Sequence, residues 1–337
     1  MLRRDRERGA LLEHVRECDR LVLLGDVLEL RHGPFRDALA AATPVLRDLG
    51  AALGPEGEVV VVPGNHDHAL LRGWLERRDH APLGLESAVD WDPREGLGGL
   101  VDSLGPARVR VAYPGVWLRE DVYAIHGHYG DRHNTVPIVE RLGAGLTVRL
   151  AGEPAGGPRR AEDYEAALAP MYAWIDAVAQ AGGLRGGGGD GSFQVKAWRA
   201  IRDRRRGRGV RSRAAAATFP ALVAGLNRAG LGPLRPDVSG VELRRAALRA
   251  FAEVTDRLDV PAAHVIFGHT HRAGPLPGDD RAEWEPARHR LINTGSWVYE
   301  PSFLGDSPSD SPYRPGFAAV LTDTGSPELV NLLDGHA

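Results

Sequence analysis

Four stretches of the chain share one pattern: an apolar run of strand length, then a turn to small and polar residues that carry chemistry. They are RLVLLGDVLE from Arg20, EVVVVPGNHDH from Glu58, VYAIHGHYGD from Val122 and HVIFGHTHR from His264. Runs that are apolar at successive positions predict strands covered on both faces, as in layered α/β folds. Between the first two, PFRDALAAATPVLRDLG places apolar residues at helical spacing, with Gly50 as the expected stop. This is a strand, helix, strand unit. Ahead of it, RERGALLEHVREC reads as a helix leading into the Asp26 strand. Near the end, RLINTGSWVYE, GFAAVLTD and PELVNLL are three short strand-like runs separated by Gly and Pro, the expected closing edge of a sheet.

The middle has a different grammar. From about Asp131 to Leu258 the chain is rich in Ala, Arg and Gly, with helical patterns in AEDYEAALAPMYAWIDAVAQA and VELRRAALRAFAEVTDRL. LRGGGGDGS reads as a flexible linker and RDRRRGRGVRSR as a basic loop. The expected organisation is therefore a core in two parts, 1–130 and 261–337, interrupted by a mostly helical cap at 131–260.

Composition narrows the function classes. With 337 residues, 43% of them hydrophobic, the chain has enough apolar material for a sizeable core. Acidic residues number 45 and basic ones 42, so no global charge argues for nucleic acid as a partner. Cys18 is the only cysteine, which excludes an intrachain disulfide or a cysteine metal cage. The charged N-terminal stretch has no apolar signal core, and no window approaches a bilayer-spanning length. A cytoplasmic protein is expected, with peripheral membrane contact left open by the arginine run from Arg199 to Arg213.

Asp26, Asn65, His126, His269 and His271 each follow an apolar run. Open α/β sheets gather such strand ends into one crevice. Three imidazoles, a carboxylate and an amide oxygen form a mixed nitrogen and oxygen set that suits Mn, Fe, Zn or Co. Taken singly, each cluster has a plainer reading: Gly-Asp as a turn, GNHD as a positive-φ turn, HGH as surface histidines. Four such turns in succession, each carrying ligand-type residues, argue for a shared metal centre.

These pieces resemble the calcineurin-like metallophosphoesterase family: Gly25-Asp26-Val27-Leu28-Glu29, Gly64-Asn65-His66-Asp67, His126-Gly127-His128 and Gly268-His269-Thr270-His271, in that order. The resemblance spans residues 20 to 300 apart from the insertion. It implies a four-layer α/β/β/α sandwich with two divalent metal ions. Asp26 bridges both ions in that scheme; Asn65, His126 and His269 hold one, and His271 the other. His66 corresponds to the proton donor to the leaving oxygen, and Asp67 is expected to orient it and favour its charged form. Two cations ~4 Å apart activate water and clamp phosphate oxygens during in-line displacement. Arg31 suits bidentate binding of a phosphate and His128 a second contact to substrate. Asn293-Thr294-Gly295-Ser296 resembles the family's closing loop, expected to shape backbone more than to do chemistry.

The family's opening Asp-x-His has no counterpart: Asp5 and Asp19 are not followed two residues later by His, and His14 lies in a helical pattern. The second ion then retains only Asp26 and His271. Loss of the first strand through a start inside the true reading frame is the favoured explanation, with an in-frame Asp-x-His expected upstream. The leading expectation is a phosphoesterase acting on a phosphodiester, phosphomonoester or pyrophosphate by metal-activated hydroxide. Its substrate would be a phosphorylated small molecule or a lipid-linked phosphate. Met171, Tyr172, Trp174 and Ile175 would either fill a helical core or line a pocket for an apolar leaving group. The rivals are a non-catalytic binding scaffold on the same fold and a nuclease, the latter disfavoured by charge and by the lack of a base-stacking platform.

Overall fold

A computed structural model describes residues 1–78, 81–136, 139–180, 220–237, 239–304 and 307–335. Both the LRGGGGDGS linker and the Arg199 to Arg213 run lie outside the described residues. The fold is mixed α/β. Among the described residues, eight strands form one curled mixed sheet, and a separate two-stranded antiparallel ribbon pairs β9 (Phe317–Val320) with β10 (Glu328–Asn331).

The large sheet runs in the order β1 (Arg20–Leu24), β2 (Glu58–Val62), β4 (Arg108–Arg119), β5 (Val122–Ile125), β6 (His264–Phe267), β8 (Arg290–Thr294), β7 (Ala273–Gly274). β3 (Glu86–Ala88) pairs with β4 off this path. β1, β2 and the start of β4 are parallel, as are β5, β6 and β8, while β4 meets β5 antiparallel. β4 joins the two halves by changing partner along its length. Arg108 to Val111 pair with β2, and Gly115 to Arg119 pair with β5. Pro114, which has no N–H to donate, falls between these two pairings.

β2 shows why the apolar runs are continuous. Successive side chains point to opposite faces. Val59 and Val61 enter a cluster with Leu46, Leu71, Leu97 and Leu100 from flanking helical segments; Val60 and Val62 enter another with Val116, Val122, Ala124, Ile266 and Ile292. Both faces of this strand are therefore interior, and each fully buried valine contributes roughly 1.5–3 kcal/mol relative to exposure. The second cluster collects side chains from both halves of the sheet.

α1 (Asp5–Val15) buries Leu11 and Val15 in a cluster with Val45 and Leu49 of α2 (Phe35–Leu53). His14 lies inside α1, its Nδ1 2.9 Å from the Ala10 carbonyl, as the helical pattern predicts. Gly50, by contrast, does not stop α2. It is an interior residue of the helix, where a Cβ would lie 1.9 Å from the Leu104 carbonyl oxygen. The stop is Gly54, in the left-handed region at φ 76°. The C-terminal runs also divide differently from the expected edge: β8 lies between β6 and β7, and only β9 and β10 form a ribbon of their own.

By contacts the chain falls into two compact units. One comprises Met1–His128, Ile175–Gly183 and Val260–Ala337; the other comprises Tyr129–Trp174 and Leu184–Asp259. The described part of the second unit is built from α5 (Val139–Ala151), most of α6 (Ala161–Gln180), a helix at 220–228 and the helix Gly240–Arg257. Along α6, Tyr172 is buried and Trp174 is 68% exposed. No helix among the described residues is long and apolar enough to cross a membrane.

Candidate metal centre

Four strands deliver the site at their C-terminal ends. Asp26 follows β1 by two residues, Asn65 follows β2 by three, His126 is the first residue after β5, and His269 lies two beyond β6. Glycine lets the turns close. A Cβ on Gly64 would lie 2.4 Å from Asp26 Oδ1, and one on Gly25, at φ 84°, would lie 1.9 Å from His126 Nδ1. Of the five non-glycine residues in the left-handed region among the described residues, three lie in these turns: Asp26 (φ 55°), His269 (φ 66°) and His271 (φ 60°). Such strain costs on the order of 1–3 kcal/mol per residue and gathers at functional sites.

Asp26, His126 and His269 each offer one ligand atom, and these atoms lie within 4.8 Å of one another. The His126 tautomer follows from its surroundings. Nδ1 lies 3.0 Å from the Leu24 carbonyl, which can only accept, so Nδ1 carries the hydrogen. Nε2 lies 3.2 Å from Asp26 Oδ2 and 3.2 Å from Asn65 Oδ1. A neutral imidazole there presents a lone pair to two acceptor oxygens. Something positive must sit at that point, either a proton on Nε2 or a metal ion. Ligands of one tetrahedral cation at ~2.1 Å stand roughly 3.4 Å apart, close to both separations. A carbonyl that fixes the far ring nitrogen is also the usual outer support of a metal-ligating histidine.

The charges agree with this. Burial pushes the Asp26 carboxyl up, but the His126 and His66 imidazoles, the His126 side-chain hydrogen bond and the His66 backbone N–H hold it well below the usual carboxylate range. Burial lowers His126, and the Asp26 carboxylate more than restores it, leaving that imidazole above its ordinary value. Asn65 is 3% exposed, and its Nδ2 makes no hydrogen bond. The residues present therefore suit one cation held by Asp26, Asn65, His126 and His269.

His66 lies beside this set. Its backbone N–H donates to Asp26 Oδ1 at 2.9 Å, its Nε2 is 3.9 Å from Asp26 Oδ2, and its Nδ1 is 2.6 Å from Glu29 Oε2. Burial alone would lower the His66 imidazole, but Asp26 and Glu29 raise it above its ordinary value. Glu29 is itself fixed by the Arg31 backbone N–H at 2.9 Å. The orienting carboxylate is thus Glu29, which the sequence places three residues after Asp26 inside the same motif.

No family model matches the chain, and no curated protein matches it.

Two expected roles need correction on geometry. Asp67 is fully buried, and its carboxylate accepts the backbone N–H groups of Gly64 (2.6 Å), Val27 (2.7 Å) and Leu28 (3.3 Å). It clasps the Asp26 loop to the Asn65 loop and does not orient His66. Burial, with the nearby Asp26 charge, pushes its carboxyl up to about 6. His128 is also fully buried, its ring stacked on Tyr113 at 6.3 Å and 5.6 Å from the His126 ring. Burial and the neighbouring imidazoles hold it well below the usual histidine range. It backs His126 from the interior and has no exposed surface with which to meet a substrate.

Of the remaining candidates, Arg31 is 8% exposed, and its charge is felt at His66, where it opposes protonation. His271 lies outside the 4.8 Å group, with its ring 6.3 Å from that of Phe303. Burial pushes its imidazole down to about 4, and the charges it senses are those of Asp26, His66, His269 and His126, so it borders the same centre. Asn293 secures the His269 loop. Its Nδ2 donates to the Gly268 carbonyl and to Thr270 Oγ1, at 3.2 and 2.7 Å, and its Oδ1 accepts from Gly295. Among the described residues, this loop serves backbone shape.

Proposed function

We propose that this chain is a metal-dependent phosphoesterase of the calcineurin-like kind, hydrolysing a phosphoester or pyrophosphate bond in a phosphorylated small molecule or lipid-linked phosphate. The observation that carries the reading is His126 Nε2 set between Asp26 Oδ2 and Asn65 Oδ1, with His66 held by Glu29 next to them. The core cluster that collects side chains from both halves of the curled sheet supports the two-sheet sandwich of that family.

A bound Mn, Fe, Zn or Co ion supplies Lewis acidity to the phosphoryl group and offsets charge that develops during displacement. The chain does the rest. Glu29 accepts from His66 Nδ1 and keeps the ring turned with Nε2 toward Asp26. Asp26 and Glu29 favour the charged form of this imidazole, and in that form its Nε2 proton would pass to the departing oxygen, whose charge needs neutralising. Arg31, a permanent cation whose charge reaches His66, would draw the phosphate toward the site. The His126 ring, fixed through Leu24, holds the ligand geometry during turnover.

The second reading is a non-catalytic scaffold, favoured by His271 standing outside the ligand group. The His66–Glu29 pair opposes it, since a scaffold has no need of a held proton. Hydrolysis of bis-p-nitrophenyl phosphate with added Mn²⁺ tests the proposal. Turnover that disappears in His66→Ala, with folding intact, supports catalysis. Stable metal binding with no turnover on any phosphoester supports the scaffold.

A further inference from the structure

We infer that Asp176 and Gln180, at the end of α6, are positioning residues for the reaction: they hold the outer ends of the two loops that bring Glu29 and His66 together. The inference rests on the phosphoesterase reading above and adds to it two side chains that touch neither metal ligands nor substrate. From Ile175 onward, α6 belongs to the same compact unit as the site. Asp176 is 8% exposed, and both of its oxygens are engaged. Oδ2 accepts from Arg72 Nη2 at 2.5 Å, and Oδ1 accepts from Gln180 Nε2 at 3.1 Å. A carboxylate can only accept, so the Gln180 amide must turn its nitrogen toward Asp176, which leaves its oxygen for another donor. That donor is the backbone N–H of Phe35, 3.2 Å from Gln180 Oε1. One line of hydrogen bonds therefore joins Arg72, Asp176, Gln180 and Phe35.

Each end of the line fixes a loop of the site. Phe35 is the first residue of α2, and the residue before it, Pro34, has no side-chain oxygen with which to cap the first turn. Gln180 supplies that acceptor from 145 residues away. Only residues 30–34 lie between Glu29 and this cap, so holding Phe35 shortens the free span that carries Glu29 and Arg31. At the other end, Arg72 opens the helix Arg72–Arg77, directly after the helical turn His68–Leu71 that follows His66 and Asp67. Phe35 and Leu71 pack in the same core cluster, so the two loop ends are tied through the interior as well as through Asp176. Docking of α6 for stability would be met by apolar residues such as Ala179, which is 1% exposed. A largely buried ion pair adds little net stability once desolvation is counted. Its effect is then in where it holds the two loops.

The test is a double-mutant cycle on the full chain, with kcat and KM measured on bis-p-nitrophenyl phosphate and Mn²⁺ for Gln180→Ala, Glu29→Gln and the pair. Gln180 is exposed, so its truncation leaves the core intact, and circular dichroism checks this. Loss of one hydrogen bond corresponds to about a 2- to 12-fold change, so Gln180→Ala should lower kcat by that factor with KM within about twofold. In the Glu29→Gln background the same change should lower kcat by less than about twofold, because the effect passes through Glu29. Hydrogen exchange of the segment 29–35 should be faster in Gln180→Ala than in the parent. An unchanged kcat, a change confined to KM, or losses that multiply independently overturn the inference and leave the phosphoesterase reading standing. Unchanged exchange overturns it whatever the activity. A parent that turns over no phosphoester overturns both.

Discussion

Gly64→Ala is the sharpest perturbation of the centre, because it adds one methyl group at a point where the distances are known. The new Cβ would lie 2.4 Å from Asp26 Oδ1 and 2.8 Å from both the Asp26 backbone nitrogen and His126 Cδ2. Restoring an ordinary contact of roughly 3.5 Å requires Asp26 to retreat by about 1 Å. That displacement would carry Oδ1 away from the His66 N–H, now at 2.9 Å, to beyond hydrogen-bonding reach. Overpacking and the loss of a bond to a charged acceptor together cost about 2–5 kcal/mol. Metal ligands tolerate displacements of only about 0.2 Å, so Mn²⁺ affinity should fall at least tenfold. Gly33→Ala is the control, since its Cβ would meet nothing within 4 Å, and it should change stability by less than about 0.5 kcal/mol. Urea unfolding and calorimetric titration of both variants read the two effects. Equal stability and equal affinity for the two would refute the idea that close approach of the Asp26 and Asn65 loops builds the centre.

Glu29→Gln removes the charge that holds His66, a bond worth about 1.5–3 kcal/mol, so kcat on a phosphodiester should drop roughly 10- to 150-fold with KM little changed; an unchanged kcat would remove Glu29 from the reaction. Leu71→Ala, at a fully buried position in the cluster around β2, should destabilise by about 2–5 kcal/mol in urea unfolding, and a loss under 1 kcal/mol would contradict the packing described. His133 provides a pH test away from the centre. Burial, then Arg132, Arg257 and Arg141, push its imidazole down to about 3, and its Nε2 lies 2.8 Å from the Tyr164 hydroxyl. Between about pH 6.5 and 3 the unfolded chain takes up a proton that the folded chain refuses, so stability is lost as pH falls through that window, by about 2 kcal/mol at pH 5. Unfolding at pH 7 and pH 5 should show His133→Gln losing that much less than the parent; identical losses would mean that His133 is not the source.

How much of this could be read from the sequence depends on whether the signal is local. The four site-bearing strands were legible because each is an unbroken apolar run that ends at polar residues, and β2 shows the cause: both of its faces are interior. β4 was not legible. Its opening RVRV alternates charge with valine, Pro114 breaks the run, and no local pattern announces that its two ends pair with different strands. Gly50 misled for a related reason. Glycine is common where helices stop, but here a carbonyl from elsewhere in the fold, that of Leu104, needs the missing Cβ. The signal for a stop and the signal for close approach are the same letter.

The roles of Asp67 and Glu29 carry the argument one step further. Asp67 adjoins His66 in sequence, which made it the natural partner for the imidazole. In the turn after β2, however, the side chain of Asp67 turns back to collect N–H groups from its own loop and from the Asp26 loop. Those three N–H groups are buried or, at Val27, partly buried and lie outside the strands and helices, and leaving a buried one bare would cost about 1–3 kcal/mol. Satisfying them decides where Asp67 points. The imidazole is then free to meet Glu29, 37 residues away in sequence and 2.6 Å away in space. Here the side chains of adjacent turn residues diverge, so backbone accounting, and not sequence proximity, assigns the two carboxylates their different work.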